Sequence, residues 1–419
     1  MSKVAYGVYT YAIGVTPVGK LGVAEYKNSA VTLPVNPTAL DRQDPKVFYF
    51  KDLEGKNCIF MAGTKYNSSY QPEAGQYAVY DENLNLLVQP YTTSALVNLY
   101  TVTGPVDLGD QYQYLFGIDY DLHKVVRFRV SAGSGLSIDR VYDAFVPDAG
   151  KGYGLDVVTD GKAVYALFVS AVNPFTGDYA GYSIVKLDLD LKNPVRLDAD
   201  GEKNPFSLDL YNGDLYVTVV GGMQNYGSTN GASSKIQKVS TKDFSETSEI
   251  KTLLVGGATA DLGDFRALSF TSSGDAYILT GRLNSDAATF DGALYHTTAD
   301  ALANASEVVI TDIADAKYVP DGKENSFNQT NGYLWGLFYS EADKVVWTAQ
   351  GNDLGVYKYG RKKLSQVASK AISDLAGSAY SLNSVSLLEA GGQMKGYVAP
   401  AFASVSKAAR LEREKLLKK

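Results

Sequence analysis

The chain has 419 residues, 45% of them hydrophobic, with 31 Tyr and 40 Gly against 2 Trp, 2 His and 1 Cys, and a formal net charge of -7. The acidic balance speaks against nucleic acid as the partner, because binding phosphate needs a basic footprint, and a single Cys58 excludes both an internal disulfide and a multi-thiolate metal site. Tyrosine suits pleated, half-buried surfaces and glycine suits turns, so strands are expected to outnumber helices. No stretch approaches the ~18–20 consecutive apolar residues of a membrane-spanning helix.

In chain order, the first 30 residues offer two apolar strands, VAYGVYTYAIG from Val4 and KLGVAEY from Lys20, with no turn glycine ahead of them. They also lack the continuous apolar run and small-residue cleavage site of a secretory signal. From Lys46 onward one unit recurs: EGKNCIFMAG, LGDQYQYLFG, DGKAVYALF, NGDLYVTVV, SGDAYILTG, NGYLWGLFY and GGQMKGYVA. Each places a glycine suited to a hairpin turn before a strand rich in aromatic and β-branched residues. The glycines are Gly55, Gly109, Gly161, Gly213, Gly274, Gly332 and Gly392, at successive spacings of 54, 52, 52, 61, 58 and 60 residues.

The fourth copy expands into four strands, PFSLDL, DLYVTVV, SKIQKVS and SEIKTLL. A second internal match sets YLFGIDYDLHKVVRF at Tyr114 against YLWGLFYSEADKVVW at Tyr333. Seven four-stranded units at this period predict an all-β fold, a seven-bladed β-propeller. After Gly392 the chain offers only MKGYVAPA, so the N-terminal strands are expected to complete the last blade and close the ring. Residues 1–402 then form a single propeller domain. Residues 403–419, with the sequence SVSKAARLEREKLLKK from Ser404, read as a helical basic tail.

The unit resembles that of bacterial seven-bladed propellers of the Tyr-Val-Thr-Asn repeat type, similar to YncE-like and surface-layer propellers. Tyr216, Val217 and Thr218 carry the motif, while Val219 stands where that family has Asn. The resemblance covers most of the chain at the level of architecture. The Tyr/Asn/Gly/Ser-rich, cysteine-poor composition points to an exported protein with an extracellular, cell-surface or periplasmic location, with a cytoplasmic one left open.

Four long insertions follow second strands: AGTKYNSSYQPEAGQY, SAVNPFTGDYAGYS, GGMQNYGSTNGASS and TGRLNSDAATFDGA. In a propeller all four crowd one face, where rigid sheets carry variable loops. Tyr66, Tyr70, Phe175, Tyr179, Tyr226 and Phe290, with Arg282, are the candidate ligand-binding residues there. Aromatic rings beside amides suit a glycan or a surface protein; the same composition also suits solvated turns. Before the inner strands stand Asp44 with Lys46, Asp148 with Lys151, Asp200 with Lys203, Asp264 with Arg266, and Asp321 with Lys323. Lys46, Lys151, Lys203, Arg266 and Lys323 would ring the central opening and favour an anionic ligand, unless the neighbouring carboxylates cancel their field.

For chemistry the sequence offers little. His123 in DYDLHKVV and His296 supply no zinc or triad constellation, and DADGEKN at Asp198 lacks the spacing of a calcium loop. Trp335 and Trp347 are too few for a quinone-dependent dehydrogenase, so neither metal nor cofactor is expected. Three readings follow: a non-enzymatic binding propeller, a lyase or hydrolase acting on an anionic glycan in the central funnel, and a surface-layer component.

Overall fold

The computed structural model describes residues 1–10, 19–40, 43–67, 72–131, 135–143, 152–173, 178–200, 205–220, 223–224, 227–228, 234–256, 264–284, 289–304, 307–309, 317–318, 335–350, 353–360, 363–376, 380–388 and 396–398. In chain order, β1 (Ser2–Thr10), β2 (Gly19–Lys27), β3 (Ala30–Thr32) and β4 (Thr38–Leu40) precede the first complete blade. Blade one is β5 (Gln43–Lys51), β6 (Asn57–Tyr66), β7 (Pro72–Asp81) and β8 (Leu86–Thr93). Blade two is β9 (Leu99–Asp107), β10 (Gln113–Asp119), β11 (Lys124–Ser131) and β12 (Gly135–Asp143). Blade three is β13 (Gly152–Thr159), β14 (Ala163–Asn173), β15 (Asp178–Asp188) and β16 (Val195–Asp200).

Blade four begins with β17 (Pro205–Tyr211) and β18 (Asp214–Val219). A small hairpin of β19 (Met223–Gln224) and β20 (Gly227–Ser228) follows, and β21 (Lys235–Ser240) with β22 (Lys251–Gly256) completes the sheet. Blade five is β23 (Asp264–Phe270), β24 (Asp275–Asn284) and β25 (Thr289–Thr298). After α1 (Ala299–Asn304), β26 (Glu307–Val309) pairs parallel to β22, and β27 (Lys317–Tyr318) pairs with β25. Blade six is β28 (Trp335–Ser340), β29 (Val345–Gln350), β30 (Asp353–Gly360) and β31 (Lys363–Ala371). The short α2 (Ile372–Ala376) then leads to β32 (Tyr380–Leu387) and β33 (Gly396–Val398).

The sheets stand around a common axis, with β5, β9, β13, β17, β23 and β28 side by side as inner strands. Aromatic rings hold neighbouring sheets together. Phe60 of blade one meets Phe128 of blade two at 5.1 Å, Tyr211 of blade four stacks on Phe270 of blade five at 4.3 Å, and Tyr277 stacks on Tyr339 of blade six at 5.6 Å. These pairs bury large areas at modest entropic cost, which is why a tyrosine-rich sequence suits a fold made of sheet-on-sheet contacts.

The ring closes through a shared seventh blade, in which β1 pairs antiparallel with β2 on one side and with β32 on the other. The share of each terminus differs from the sequence expectation. Inner strands in blades one to five carry an irregularity in their register with the second strand, and β32 carries the same irregularity between Leu382 and Ser384. β32 is therefore the inner strand, and the N-terminus supplies the second, third and outermost strands as β1, β2 and β3 with β4. β33 adds to the other edge of β32 and lies beside β28, β5 and β9. An inner strand has one edge open towards the axis, and a returning segment can satisfy it.

Five of the seven expected turn glycines sit between an inner and a second strand at positive φ, from 77° at Gly55 and Gly161 to 94° at Gly274. Gly332 and Gly392 lie outside the described residues. Gly332 precedes the inner strand β28 rather than following it, so its expected role is corrected. The corresponding turn of blade six runs from Ser340 to Val345 and takes its positive φ, 52°, at Lys344. The match between Tyr114 and Tyr333 therefore sets a second-to-third hairpin against a first-to-second one, and reflects shared hairpin chemistry instead of equivalent blade positions. The fourth copy's four strands fall where the sequence puts them, and the tail at 403–419 lies outside the described residues.

Candidate functional site

Second-to-third and outer-to-inner connections leave the same face of the ring, and on this face the connections of blades one and two bring together a chain of polar groups. Lys46, in the irregular first turn of β5, is buried, and its Nζ donates to Asn98 Oδ1 at 2.7 Å. Asn98 precedes β9, and its Nδ2 donates to Asp121 Oδ2 at 2.8 Å. Asp121 sits in the turn between β10 and β11. On the other side of Lys46, the Tyr66 hydroxyl at the end of β6 donates to Asp44, whose backbone takes a φ of 46° beside Pro45.

Asp119 holds the two loops in register. It has 0% exposure, its Oδ2 accepts the Val97 and Asn98 amides at 2.8 and 2.9 Å, and its Oδ1 accepts the Leu122 amide at 2.7 Å. A carboxylate that satisfies three backbone donors fixes both segments at once. The closing blade anchors the other flank: Ser384 Oγ donates to the Pro45 carbonyl at 2.8 Å and accepts from the Val47 amide at 3.1 Å. An aromatic wall completes the sector. Half-buried Tyr153, at the start of β13, stacks on Tyr120 at 4.3 Å, and the half-buried His123 ring stands edge-on to it at 6.2 Å.

Among the described residues the sector is acidic: Asp44 and Asp119 as well as the Lys46 ammonium act on Asp121. Burial raises the Asp121 carboxyl above its usual range, and the Asn98 hydrogen bond and Lys46 only partly oppose this. The Tyr66 hydroxyl is pushed well up, first by burial and then by Asp44, and Tyr153 is raised by burial and by Asp121. Because the folded value of Asp121 lies above the unfolded one, near 3.9, its contribution to stability is complete below about pH 4 and is lost as pH rises through the folded value. Asp121→Asn should therefore gain stability relative to the parent between about pH 4 and pH 7. Denaturant midpoints for both proteins at the two pH values check this, and a constant difference would contradict it.

Of the expected site residues, Lys46 and Tyr66 fall in this cluster. Arg266 is buried at the irregularity of β23 with its guanidinium 4.9 Å over the Phe206 ring, across the junction of blades four and five. Arg282, Tyr179 and Phe290 lie on the second-to-third hairpins of their blades, opposite Asp291, Ala171 and Leu283 respectively. Tyr70, Lys151, Phe175, Lys203, Tyr226 and Lys323 lie outside the described residues. Sequence reading missed Asn98 and Asp121. The one local signal was the run of acids, Asp119 and Asp121, ending a tyrosine-rich strand.

Elsewhere, buried Cys58 has its thiol pushed up to about 12, mainly by burial, which leaves it protonated and inert at neutral pH. Among the described residues no cluster of His, Cys, Asp or Glu is suited to hold a metal ion.

Comparison with known proteins places the chain by fold alone. No family model matches it, and no curated protein matches its sequence. Among solved structures it is similar to the Pseudomonas aeruginosa periplasmic gluconolactonase, PpgL, with a TM-score of 0.56, 12% identity, and 93% of this chain and 99% of that chain covered. It also matches the complex of KlAtg21 with the coiled-coil of AgAtg16 at a TM-score of 0.44 and 8% identity, over 84% of this chain and 95% of that one. The likeness to the gluconolactonase agrees with the propeller architecture. It carries the resemblance to Tyr-Val-Thr-Asn repeat proteins no further than that. The fold is compatible with binding of a ligand or partner and with catalysis.

Proposed function

We propose that the protein binds a neutral, hydroxyl-rich glycan on the face where the second-to-third loops gather, with its core at Lys46, Asn98, Asp121, Tyr66 and Tyr153. The observation that carries this reading is the Lys46–Asn98–Asp121 hydrogen-bond chain beside the ring of Tyr153. Carboxylate and amide groups accept and donate to sugar hydroxyls, and an aromatic ring covers an apolar sugar face. Among the described residues Asp44, Asp119 and Asp121 outnumber Lys46, which disfavours an anionic ligand at this sector. The long loops bearing Tyr70, Phe175, Tyr179, Tyr226, Arg282 and Phe290 would extend the surface, and a surface protein is the alternative partner.

Lys46→Met and Tyr153→Ala are each expected to weaken glycan binding by about tenfold or more, on the order of 1.4 kcal/mol. An array of neutral and acidic glycans selects the probe, and isothermal titration of the parent and both variants gives the affinities. Binding confined to acidic glycans, or unchanged affinity in both variants, would refute the reading.

One observation favours a second reading, hydrolysis of the bound glycan: the Asp121 carboxyl, raised by burial, shares the cluster with Asp44, and two acids whose environments push their pKa values apart are the pairing that general acid–base hydrolysis uses. Release of product from the array hit, lost in Asp121→Asn, decides between binder and enzyme. An extracytoplasmic location is part of this proposal. Composition supports it, and the gluconolactonase of similar fold is described as periplasmic. Fractionating cells that express the gene from its native locus tests it, and recovery in the cytosol alone would remove it.

A further inference from the structure

On the opposite face, first-to-second and third-to-fourth turns of blade one meet blade two around a cleft of about 230 Å³. Its wall is apolar, formed by Phe50, Val79 and Val88 of blade one and Val130 of blade two, and Cys58 contributes to it as a small buried side chain. At the rim, Leu53 and Leu87 are 44% and 41% exposed. These are large apolar side chains left to solvent around an apolar space. Asp52 and Glu54 line the mouth together with Gln111 and Ser131, and among the described residues no basic side chain lines it. Lys56, just outside the lining, pairs with Glu54 at 2.5 Å and offsets its charge, so Asp52 is the acid at the mouth without an ion pair among the described residues.

We propose that this cleft is a second binding site, for a small aromatic or short aliphatic group that carries a neutral or cationic polar end. Size sets the first limit. An apolar cavity of about 150 Å³ accommodates benzene, so about 230 Å³ suits roughly nine non-hydrogen atoms. Charge sets the second. The Asp52 carboxylate already accepts the Glu54 and Lys56 amides at 3.0 and 2.8 Å, which fixes it at the mouth as a negative group that cannot swing away. A carboxylate-bearing ligand of the same shape would meet that charge with no cation among the described lining residues to offset it, whereas an ammonium or hydroxyl group would be received by it. The proposal is independent of the glycan reading, since the two sites lie on opposite faces and share no residue.

The test uses three probes of one shape, 2-phenylethylamine, 2-phenylethanol and phenylacetate, with affinities from saturation-transfer NMR and titration calorimetry on the full chain. The amine and the alcohol are expected to bind at least about tenfold more tightly than phenylacetate. Ser131→Phe, which places a ring in the mouth from a half-buried position, should abolish binding of both. Glu54→Gln, at an exposed side chain, should reduce the amine's affinity towards that of the alcohol and leave folding intact. Equal or tighter binding of phenylacetate would overturn the charge assignment. Failure of all three probes at millimolar concentration, or binding untouched by Ser131→Phe, would overturn the site itself.

Discussion

Deleting residues 1–10 is expected to abolish the cooperative unfolding transition while leaving most of the chain's sequence in place. β1 is hydrogen-bonded on both edges, to β2 and to β32, and Val4, Ala5, Tyr6 and Val8 are all at 0% exposure. Its loss would separate the third and outer strands of the closing blade from the inner one, and expose two unpaired strand edges at a seam that otherwise has none. Trp347 of blade six would lose its Nε1 hydrogen bond to Ser2 Oγ, at 2.9 Å. In stacked-sheet architectures the last interface stabilises all the others. Guanidinium titration followed by tryptophan fluorescence and circular dichroism checks this, and a sharp transition at the parent midpoint would show that the ring does not depend on its closure.

A point substitution isolates the same seam. A Cβ at Gly7 would stand 2.3 Å from the Pro45 carbonyl oxygen and 2.8 Å from Ser384 Oγ. That carbonyl is backbone and is already held by Ser384, so neither neighbour can retreat cheaply. Gly7→Ala is expected to destabilise by about 1–3 kcal/mol through overpacking.

The second large effect is expected at Asp119. Replacing it with Ala would leave the amides of Val97, Asn98 and Leu122 without their acceptor, and each buried unsatisfied donor costs about 1–3 kcal/mol. Water reaching the vacated space would recover part of this, so a loss of about 3–5 kcal/mol is expected. Function should suffer further, because Asn98 is placed by this carboxylate and in turn orients both Lys46 and Asp121. Asp119→Asn keeps one acceptor oxygen for the Val97 and Asn98 amides but turns an amide donor towards Leu122, so it should fall between parent and Ala variant in stability and in the proposed glycan binding. Denaturant titration and calorimetry on the same two variants check the paired effects. An Asp119→Ala protein as stable as the parent would mean that the two loops hold themselves.

The repeat was legible where local geometry alone demanded a residue. Gly55, Gly109, Gly161, Gly213 and Gly274 mark turns whose positive φ favours glycine, and the apolar strands after them announce themselves by composition. The marker failed where a different residue met the same demand. Lys344 takes the left-handed conformation in blade six, and nothing in a lysine's neighbours reveals that. Gly332 misled for the converse reason, since Asn-Gly before an aromatic run reads the same in an outer-to-inner loop as in a hairpin. Lys46 and Tyr66 could be singled out by type and place, but Lys46 meets Asn98 across 52 residues of sequence, and Asn98 meets Asp121 across 23. The first pairing exists because adjacent blades set the starts of their inner strands side by side, and the second because β9 and β10 pair antiparallel, which sets the start of one opposite the end of the other.

By itself the sequence determined the architecture: strand content, the period of the blades and the sharing of the last blade between the termini. Each of these follows from short-range steric and hydrophobic preferences that act within one hairpin and repeat. The tertiary structure alone decided how the termini divide the closing blade, that β33 lies inside the ring, and which charges share a low-dielectric sector. Those outcomes depend on the distance between groups far apart in the chain, and both burial and Coulomb energy are set by that distance.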